Sequence, residues 1–263
     1  MPNITTQKEY QNLDKPEFCY FCGEPLNNGE KINSDHCPPE KIFHVSDREN
    51  YPVKLNVHEN CNHKWHIGDE KLSIFFDVLH GAKKASNPQL RNKLSFVNIE
   101  NEQGIYQGLT GFPLKDLSRR IVRCVHALLF GEYLPDKTLN SIHYPIPEVD
   151  PTESNKPLPH LMQTYAFANE LCSAQKARTF DSLIAYNRKF KYVSTWSHLD
   201  DGKSICIFAY DIYKLSNFAV KIQDFPLAVI GFYACPRPKN AIKCANIKVE
   251  NTDSEILYPI LQS

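Results

Sequence analysis

The sequence predicts an α+β protein in which a small, irregular N-terminal unit precedes a helical region and a C-terminal region that contains antiparallel strands. Three observations predict this class. Residues 18–68 are rich in Cys, His, Asn and Pro, Leu114–Phe130 repeats apolar residues every three or four positions, and apolar alternation begins at Phe190. A chain of 263 residues with 42% hydrophobic and 23% charged residues is ordinary for a globular protein.

The chain divides into four parts by the texture of its sequence. The parts are a polar lead-in at 1–16, the irregular unit at 17–80, a helical region at 81–134 and an α+β region at 135–263. Within the irregular unit, Asp69–His80 has the spacing of a helix. In the helical region, the apolar stripe of Leu114–Phe130 stops at Gly131, and glycine commonly ends helices.

The last part changes from a proline-rich stretch to strands. Six prolines between positions 135 and 160 predict a linker or an irregular crossover, and a helix is expected to follow to about Tyr186. Strands are predicted at Phe190–Trp196, Ser204–Tyr210 and Phe225–Tyr233. The first two flank Asp200-Asp201-Gly202, which favours a hairpin turn.

Membrane insertion and export leave signatures that this sequence lacks. Its longest apolar runs, such as Pro226–Cys235, fall well short of the roughly 20 residues that a spanning helix needs. The beginning of the sequence is polar, without the apolar stretch of a signal peptide. We therefore expect a cytoplasmic protein without membrane contact, in which cysteines outside a metal site are reduced thiols.

The formal net charge is zero, from 30 basic and 30 acidic side chains, which taken alone argues against binding to nucleic acid. The total hides a division. Residues 1–80 carry 8 basic and 13 acidic side chains, so residues 81–263 carry 22 basic and 17 acidic ones. A polyanion would therefore be attracted to the second part of the chain rather than to the first.

Two pairs of potential metal ligands lie within the irregular unit and enclose a loop without a regular pattern. Cys19 and Cys22 form one pair, and His58 and Cys61 form a second pair at the same spacing. Together they offer three sulfurs and one nitrogen, a composition typical of a closed tetrahedral zinc site. The sequence therefore predicts a structural Zn2+ on these four residues.

Oxygen and imidazole donors lie between and after these pairs. Asp35 supplies a carboxylate, and Asn62 and His66, spaced i and i+4, share one face of a helix that begins near Asn62. Such donors suit Mg2+ or Mn2+ better than a closed zinc site. His36 follows Asp35 on an extended segment and so points away from it, and its ordinary pKa of about 6.5 lets it accept a proton at neutral pH.

The order of these motifs resembles the HNH (ββα-metal) endonuclease family, in its zinc-knuckle-containing type. The matching segments are Cys19-x2-Cys22, Asp35-His36-Cys37-Pro38-Pro39, His58-x2-Cys61-Asn62 and a histidine shortly after. His58 stands where members often carry cysteine. Both His63 and His66 follow Asn62, and the i+4 geometry favours His66 as the family's third residue.

The resemblance covers about residues 17–72 and implies an enzyme that hydrolyses phosphodiester bonds in DNA. It gives His36 the role of general base, and it places one Mg2+ or Mn2+ on Asp35, Asn62 and His66, where the cation stabilises the transition state. RNA stays open as a substrate. Defence against foreign DNA is a role that the family's habits suggest.

Substrate contacts are expected outside the acidic N-terminal unit. Arg119, Arg120 and Arg123 are the first candidates for contact with the nucleic-acid backbone, and a solvated helix face is the alternative. The aromatic residues that alternate from Phe190 to Trp196 either bind a protein partner or regulatory ligand or face a core. The competing function is a zinc-stabilised module that binds nucleic acid or protein without catalysis.

Overall fold

The computed structural model describes residues 3–4, 6–48, 53–79, 95–101, 104–110, 113–143, 181–198, 204–212 and 229–241. The helices in these residues are α1 (Gln7–Gln11), α2 (Val45–Arg48), α3 (Glu59–Leu79) and α4 (Leu114–Phe130). The strands are β1 (Asn3–Ile4), β2 (Ile32–His36), β3 (Lys54–His58), β4 (Ser95–Asn101), β5 (Gly104–Thr110), β6 (Leu139–His143), β7 (Asp181–Ala185), β8 (Phe190–His198), β9 (Ser204–Ile212) and β10 (Val229–Ala234). Helices and antiparallel strands together confirm the predicted α+β class.

An antiparallel hairpin followed by a helix forms the N-terminal unit. Strands β2 and β3 pair from Ile32 opposite His58 to His36 opposite Lys54. Alternate residues of β3, Leu55 and Val57, are buried, as expected of a strand with one face on a core. Helix α3 begins directly after β3, so the last strand residues and the first helical turn lie side by side.

The predicted helix at Leu114–Phe130 is confirmed as α4, and Gly131 ends it in the left-handed conformation at φ 69°. The helix is not a surface helix, because both its faces are covered. His126 packs on Trp196 and Tyr233 of the large sheet, while on the other side Cys37 of the N-terminal unit donates to the carbonyl of Arg120. Helix α4 therefore lies between the N-terminal unit and the sheet.

The large sheet has six strands in the order β1-β7-β8-β9-β10-β6. Strands β8 and β9 pair antiparallel, from Phe190 opposite Ile212 to His198 opposite Ser204, which confirms the two strands predicted there. The predicted strand at Phe225–Tyr233 is present from Val229 onward. The turn at Asp200-Asp201-Gly202 and residues 225–228 lie outside the described residues.

Helix α3 begins at Glu59, ten residues before the apolar repeat at Asp69–His80 and three before the start expected near Asn62. Its first turns carry Cys61 and Asn62 rather than an apolar stripe, so periodicity does not reveal them. The hairpin fixes the start instead, because the Glu59 amide donates to the Lys31 carbonyl at 2.8 Å. Asn62 and His66 do lie on one helix, as predicted.

The lead-in at 1–16 is not loose in its described residues. Strand β1 pairs in parallel with β7, Asn3 opposite Ser182, and α1 begins at a capping box in which Thr6 and Glu9 bond reciprocally. The hydroxyl of Tyr10 then bonds the backbone of Lys54 at 2.7 Å. The N-terminal residues thus fasten both to the large sheet and to the hairpin.

Two further segments differ from the predicted fold. The region at 81–134 contains the antiparallel hairpin β4–β5 as well as α4, and Asp181–Ala185, expected to be helical, is strand β7. Leu183, Ile184 and Ala185 form a continuous apolar run without alternation, too short to separate a strand from a helix end by its pattern. Of the stretch predicted as a linker, 135–143 is described and ends in strand β6 of the large sheet, whereas residues 144–180, which include most of the expected helix, lie outside the described residues. No described helix is long and apolar enough to cross a membrane.

Candidate functional site

The first half of a metal-binding cluster is a tight turn after Phe18. The Cys19 amide donates to the Glu24 carbonyl at 2.9 Å, and the Gly23 amide donates to the Cys19 carbonyl at 2.8 Å. Gly23 has φ 84°, a conformation that glycine adopts without strain. The turn brings the side chains of Cys19 and Cys22 together on one side of the backbone.

The second half comes from the junction of β3 and α3. His58 ends β3 and Cys61 lies in the first turn of α3. The ligand atoms of Cys19, Cys22, His58 and Cys61 all lie within 4.8 Å of one another. The four residues that the spacing predicts as one site are therefore brought together.

The orientation of His58 suits metal binding. Its Nε2 lies 3.2 Å from the Pro25 carbonyl oxygen, which can only accept, so Nε2 carries the proton. The other nitrogen, Nδ1, lies 3.3 Å from Cys22 Sγ and keeps its lone pair toward the sulfurs. A carbonyl that fixes the tautomer in this way is a common outer partner of a metal-bound histidine.

The electrostatics of the cluster require a cation for the thiolate form. Burial, together with the neighbouring sulfurs of Cys19 and Cys22, raises the pKa of the Cys61 thiol to about 12. Burial likewise raises the pKa of Cys22. Thiols this close lose their protons readily only around a positive charge. The cluster could hold a metal ion such as zinc, and its donors fit that ion.

Asp35 and His36 end strand β2 and point to opposite faces of the hairpin, as the alternation predicts. Asp35 is buried, whereas the side chain of His36 is partly exposed. Burial lowers the pKa of His36, and Glu40, whose oxygen lies 3.1 Å from Nε2, only partly offsets this. Within the described residues Nε2 makes no hydrogen bond, and this nitrogen is buried beside the Glu40 carboxylate although the ring as a whole is partly exposed. The lowered pKa favours the neutral imidazole at pH 7.

Arg120 of α4 engages the Asp35 carboxylate. One terminal nitrogen of Arg120 pairs with Oδ1 of Asp35, and its Nε donates to Oδ2 at 3.3 Å. The hydroxyl of Tyr20 also donates to Oδ2. Arg120 is only 2% exposed, so the prediction that it contacts nucleic acid is wrong: its charge is directed inward to a buried carboxylate.

Asp69 belongs to the same group, and the sequence did not reveal it. The other terminal nitrogen of Arg120 lies 2.6 Å from Asp69 Oδ1 on α3. Burial alone would lower the pKa of Arg120, but Tyr20, Asp35 and Asp69 outweigh it and hold the pKa well above its ordinary value. The available signal was weak: Asp69 lies seven residues after Asn62 and therefore on the same side of the helix.

The described donors do not fit a divalent cation on Asp35. Three donors already approach a carboxylate that has about four acceptor positions. A cation bound to the remaining position would lie a few ångström from the guanidinium charge and be repelled by it. Asn62 is partly buried on α3, and the side chain of His66 lies outside the described part of the structure.

Arg123 also corrects a prediction, because it is buried rather than available to nucleic acid. Its guanidinium donates to the Phe21 carbonyl within the cysteine turn and to the Leu134 carbonyl at 3.1 Å. It also lies over the ring of Tyr133, 5.6 Å from the centroid. Arg123 therefore fastens the turn that carries Cys19 and Cys22 to the C-terminal end of α4.

Arg119 is the member of the arginine set that faces open space. It is 32% exposed and lines a cleft of about 560 Å3 between α3 and α4. Lys64, Trp65 and Lys71 of α3 line the same cleft. Asp116 lies 3.7 Å from Arg119, and Asp69 is paired with Arg120, so the carboxylates of the cleft have basic neighbours.

The aromatic residues of β8 settle one alternative left open by the sequence. Phe190, Tyr192 and Trp196 are fully buried. Trp196 packs edge-on against Phe130 of α4 with ring centroids 5.6 Å apart. These side chains face the core of the protein.

Comparisons with protein-family models, with curated proteins and with solved structures gave no match to this chain. The HNH family therefore stays a prediction that depends on the residues themselves.

Proposed function

We propose that the protein is an HNH-type endonuclease that hydrolyses phosphodiester bonds in DNA, with His36 as general base and a structural Zn2+ on the Cys/His cluster. The observation that carries the proposal is the position of His36. A partly exposed imidazole, whose pKa is lowered by burial, ends a strand of a hairpin that runs directly into the helix carrying Asn62. A base of this kind accepts the proton of an attacking water at neutral pH.

The surroundings of His36 suit a phosphate substrate. Lys54 lies opposite His36 in the register of the hairpin and supplies an exposed positive charge beside it. The Glu40 carboxylate lies 3.1 Å from the ring Nε2. Asn62, which the resemblance also gives to the site, follows in the first turns of α3. The Mg2+ or Mn2+ of the resemblance would supply Lewis-acid chemistry when bound, and Asp35, already paired with Arg120, is not free to hold it.

The cleft between α3 and α4 is the proposed contact for the nucleic-acid strand. Lys64 and Lys71 are exposed and lie seven residues apart on one side of α3, and Arg119 faces them from α4. Each lost phosphate contact lowers the slope of log affinity against log salt by about 1. We expect Lys64→Gln, Lys71→Gln and Arg119→Gln to lower this slope together by about 2–3, measured by fluorescence anisotropy with a labelled oligonucleotide. Lys189→Gln, on the turn after β7, is the matched control and leaves the slope unchanged.

A zinc-stabilised binding module without catalysis is the second candidate function. The pairing of Asp35 with Arg120 favours it, because a carboxylate neutralised from within the chain is not available to a catalytic cation. The cytoplasm, where cysteines outside the cluster stay reduced, is the compartment proposed for either function.

One experiment separates the two candidates. Zinc-loaded full-length protein is incubated with supercoiled plasmid and with RNA in Mg2+ or Mn2+, beside His36→Ala and, as a matched control, His44→Ala, an exposed histidine whose ring bonds Ser46. Cleavage by the wild type and by His44→Ala, with a loss of about 100-fold or more in His36→Ala, supports the nuclease. Intact substrates in all conditions, together with salt-dependent binding, support the binding module instead.

A further inference from the structure

Arg120 lies where the resemblance places a divalent cation. Its guanidinium donates to both oxygens of Asp35, lies 2.6 Å from Asp69 and donates to the His36 carbonyl oxygen at 3.2 Å. Arg120 is 2% exposed and Asp35 is 3% exposed. One side chain of α4 thus satisfies two carboxylates and a carbonyl, the kinds of oxygen donor that Mg2+ or Mn2+ would take.

The charges of this group leave little place for a second cation. Asp35 and Asp69 carry two negative charges, and Arg120 cancels one of them. A divalent cation added to the group would give it a net positive charge in a buried place, which the surrounding protein cannot solvate. Without Arg120, the same two carboxylates would match a divalent cation in charge.

The position of Arg120 is fixed by several independent contacts. Cys37 donates to its backbone carbonyl at 3.6 Å, and its guanidinium lies 5.9 Å from the centroid of the Phe21 ring. Helix α4 is buried along most of its length, so the backbone that carries Arg120 is part of the core. The pairing is therefore built into the fold and is not a surface contact formed by chance.

We propose that Arg120 is the resident cation of this site and keeps divalent metal off Asp35 in the folded protein. The inference rests on the proposed function in one respect, that Asp35 belongs to the same site as His36. It departs from the resemblance, because Asp35 becomes the anchor of α4 rather than a metal ligand. Any divalent cation that cleavage requires is then held by other donors.

The test is a titration of the zinc-loaded full-length protein with Mn2+, with free Mn2+ followed by its paramagnetic resonance signal. Asp35→Asn in the wild-type background is expected to change the Mn2+ affinity by less than about twofold, because Asp35 is not a ligand. Arg120→Met removes the charge and keeps much of the bulk, and we expect it to bind Mn2+ at least about tenfold more tightly. The double variant Arg120→Met with Asp35→Asn is expected to lose that gain.

Arg123→Met is the matched control, because Arg123 is a buried arginine of the same helix that bonds carbonyl oxygens and lies away from Asp35. Its Mn2+ affinity is expected to equal that of the wild type. Zinc content and near-ultraviolet circular dichroism report whether each variant is folded. If Arg120→Met does not fold, the Mn2+ affinity of Asp35→Asn alone tests the proposal.

Two results would overturn the proposal: a loss of about tenfold or more in Mn2+ affinity in Asp35→Asn, as expected of a lost ligand, or no gain in a folded Arg120→Met. Plasmid cleavage is measured on the same preparations. Absence of cleavage with the expected Mn2+ pattern counts against the nuclease and leaves the role of Arg120 standing. Conversely, if the wild type cleaves plasmid and its tight Mn2+ binding depends on Asp35, the nuclease stands and the proposed role of Arg120 is overturned.

Discussion

The two polar clusters of the N-terminal unit solve the same electrostatic problem in different ways. The Cys/His cluster gathers three sulfurs and an imidazole, and the described residues within it supply no cationic side chain. The carboxylate cluster gathers Asp35 and Asp69 around the guanidinium of Arg120. The first cluster therefore needs an external ion, whereas the second is complete when the chain folds.

The difference between the clusters also divides their roles in folding. The Cys/His cluster joins elements close in sequence, since its members lie within 43 positions of one another. Arg120 instead lies 85 positions from Asp35 and joins the N-terminal unit to α4. A metal on the first cluster would stabilise the unit internally, whereas Arg120 attaches the unit to the remainder of the fold.

Replacing one residue of the Cys/His cluster is expected to have the largest effect. If the replacement had no effect, the contrast between the two clusters would not hold. Cys61→Ser should abolish zinc binding and unfold the N-terminal unit, because structural zinc sites contribute about 10–16 kcal/mol of binding free energy to folding. Zinc per chain, measured by atomic absorption, and the near-ultraviolet signal report both changes. Cys235→Ser changes a cysteine outside the cluster and should keep its zinc. A folded Cys61→Ser protein would mean that the cluster is not a structural metal site.

Breaking the carboxylate cluster from one side should have the next largest effect. Asp35→Leu leaves a buried guanidinium with half of its partners, and the free energy of unfolding should fall by about 3–5 kcal/mol. Adding Arg120→Met should recover part of this loss, because an apolar pair of similar volume avoids the cost of a buried charge. Urea denaturation measures both variants. If the losses in the two single variants simply add in the double variant, Asp35 and Arg120 do not form an interacting pair.

The turn of the Cys/His cluster gives a smaller effect with a close control. A Cβ added at Gly23 would lie 2.8 Å from the ring of Tyr133, and the residue has φ 84°. Gly29 has a similar φ of 90° but nothing within 4 Å. Gly23→Ala should therefore destabilise by roughly 2–3 kcal/mol and Gly29→Ala by about 1 kcal/mol. Equal melting temperatures for the two variants would contradict the close packing of the turn on Tyr133.

The dependence of the free energy of unfolding on pH separates the contribution of the Cys/His cluster from that of the core. Burial lowers the pKa of His126 to about 3, and Tyr233 Oη lies 2.8 Å from its Nδ1. Between pH 3 and pH 6.5 His126 is protonated in the unfolded chain and neutral in the folded chain. The stability that the neutral histidine allows is therefore lost as the pH falls below 6.5. His126 should thus lower the free energy of unfolding by about 2 kcal/mol between pH 7 and pH 5.

His126→Phe should remove this part of the acid sensitivity, and the slope that remains comes from the other titrating groups. Urea denaturation at pH 5, 6 and 7 with the wild type as reference measures the difference. A variant whose stability falls with acid as steeply as that of the wild type would show that His126 is not a buried neutral histidine.

Much of this arrangement could be predicted from local patterns. The spacing of Cys19, Cys22, His58 and Cys61 identifies the ligands because metal coordination limits residue type and separation together. The apolar repeat of Leu114–Phe130 predicts both ends of α4 correctly. Alternation along a strand places Asp35 and His36 on opposite faces.

The role of the arginines could not be predicted in the same way. A charged residue off the apolar stripe of a helix is usually solvated, and nothing within α4 indicates that the N-terminal unit covers that side. The partner of Arg120 is 85 positions away, and a pattern of local spacing carries no information on such a pair. The start of α3 was missed for a related reason, because the preceding strand fixes it rather than its own apolar residues.

The contacts of Arg123 bear on how this protein can be dissected or recombined. A peptide cut at position 80 would keep the four metal ligands but leave the Phe21 carbonyl and the Asp35 carboxylate without the arginines that bond them. Such a fragment would not be an independently transferable domain. Grafting it onto an unrelated chain would require a substitute for α4. The contacts of Arg120 and Arg123 thus make the N-terminal unit and α4 one structural unit.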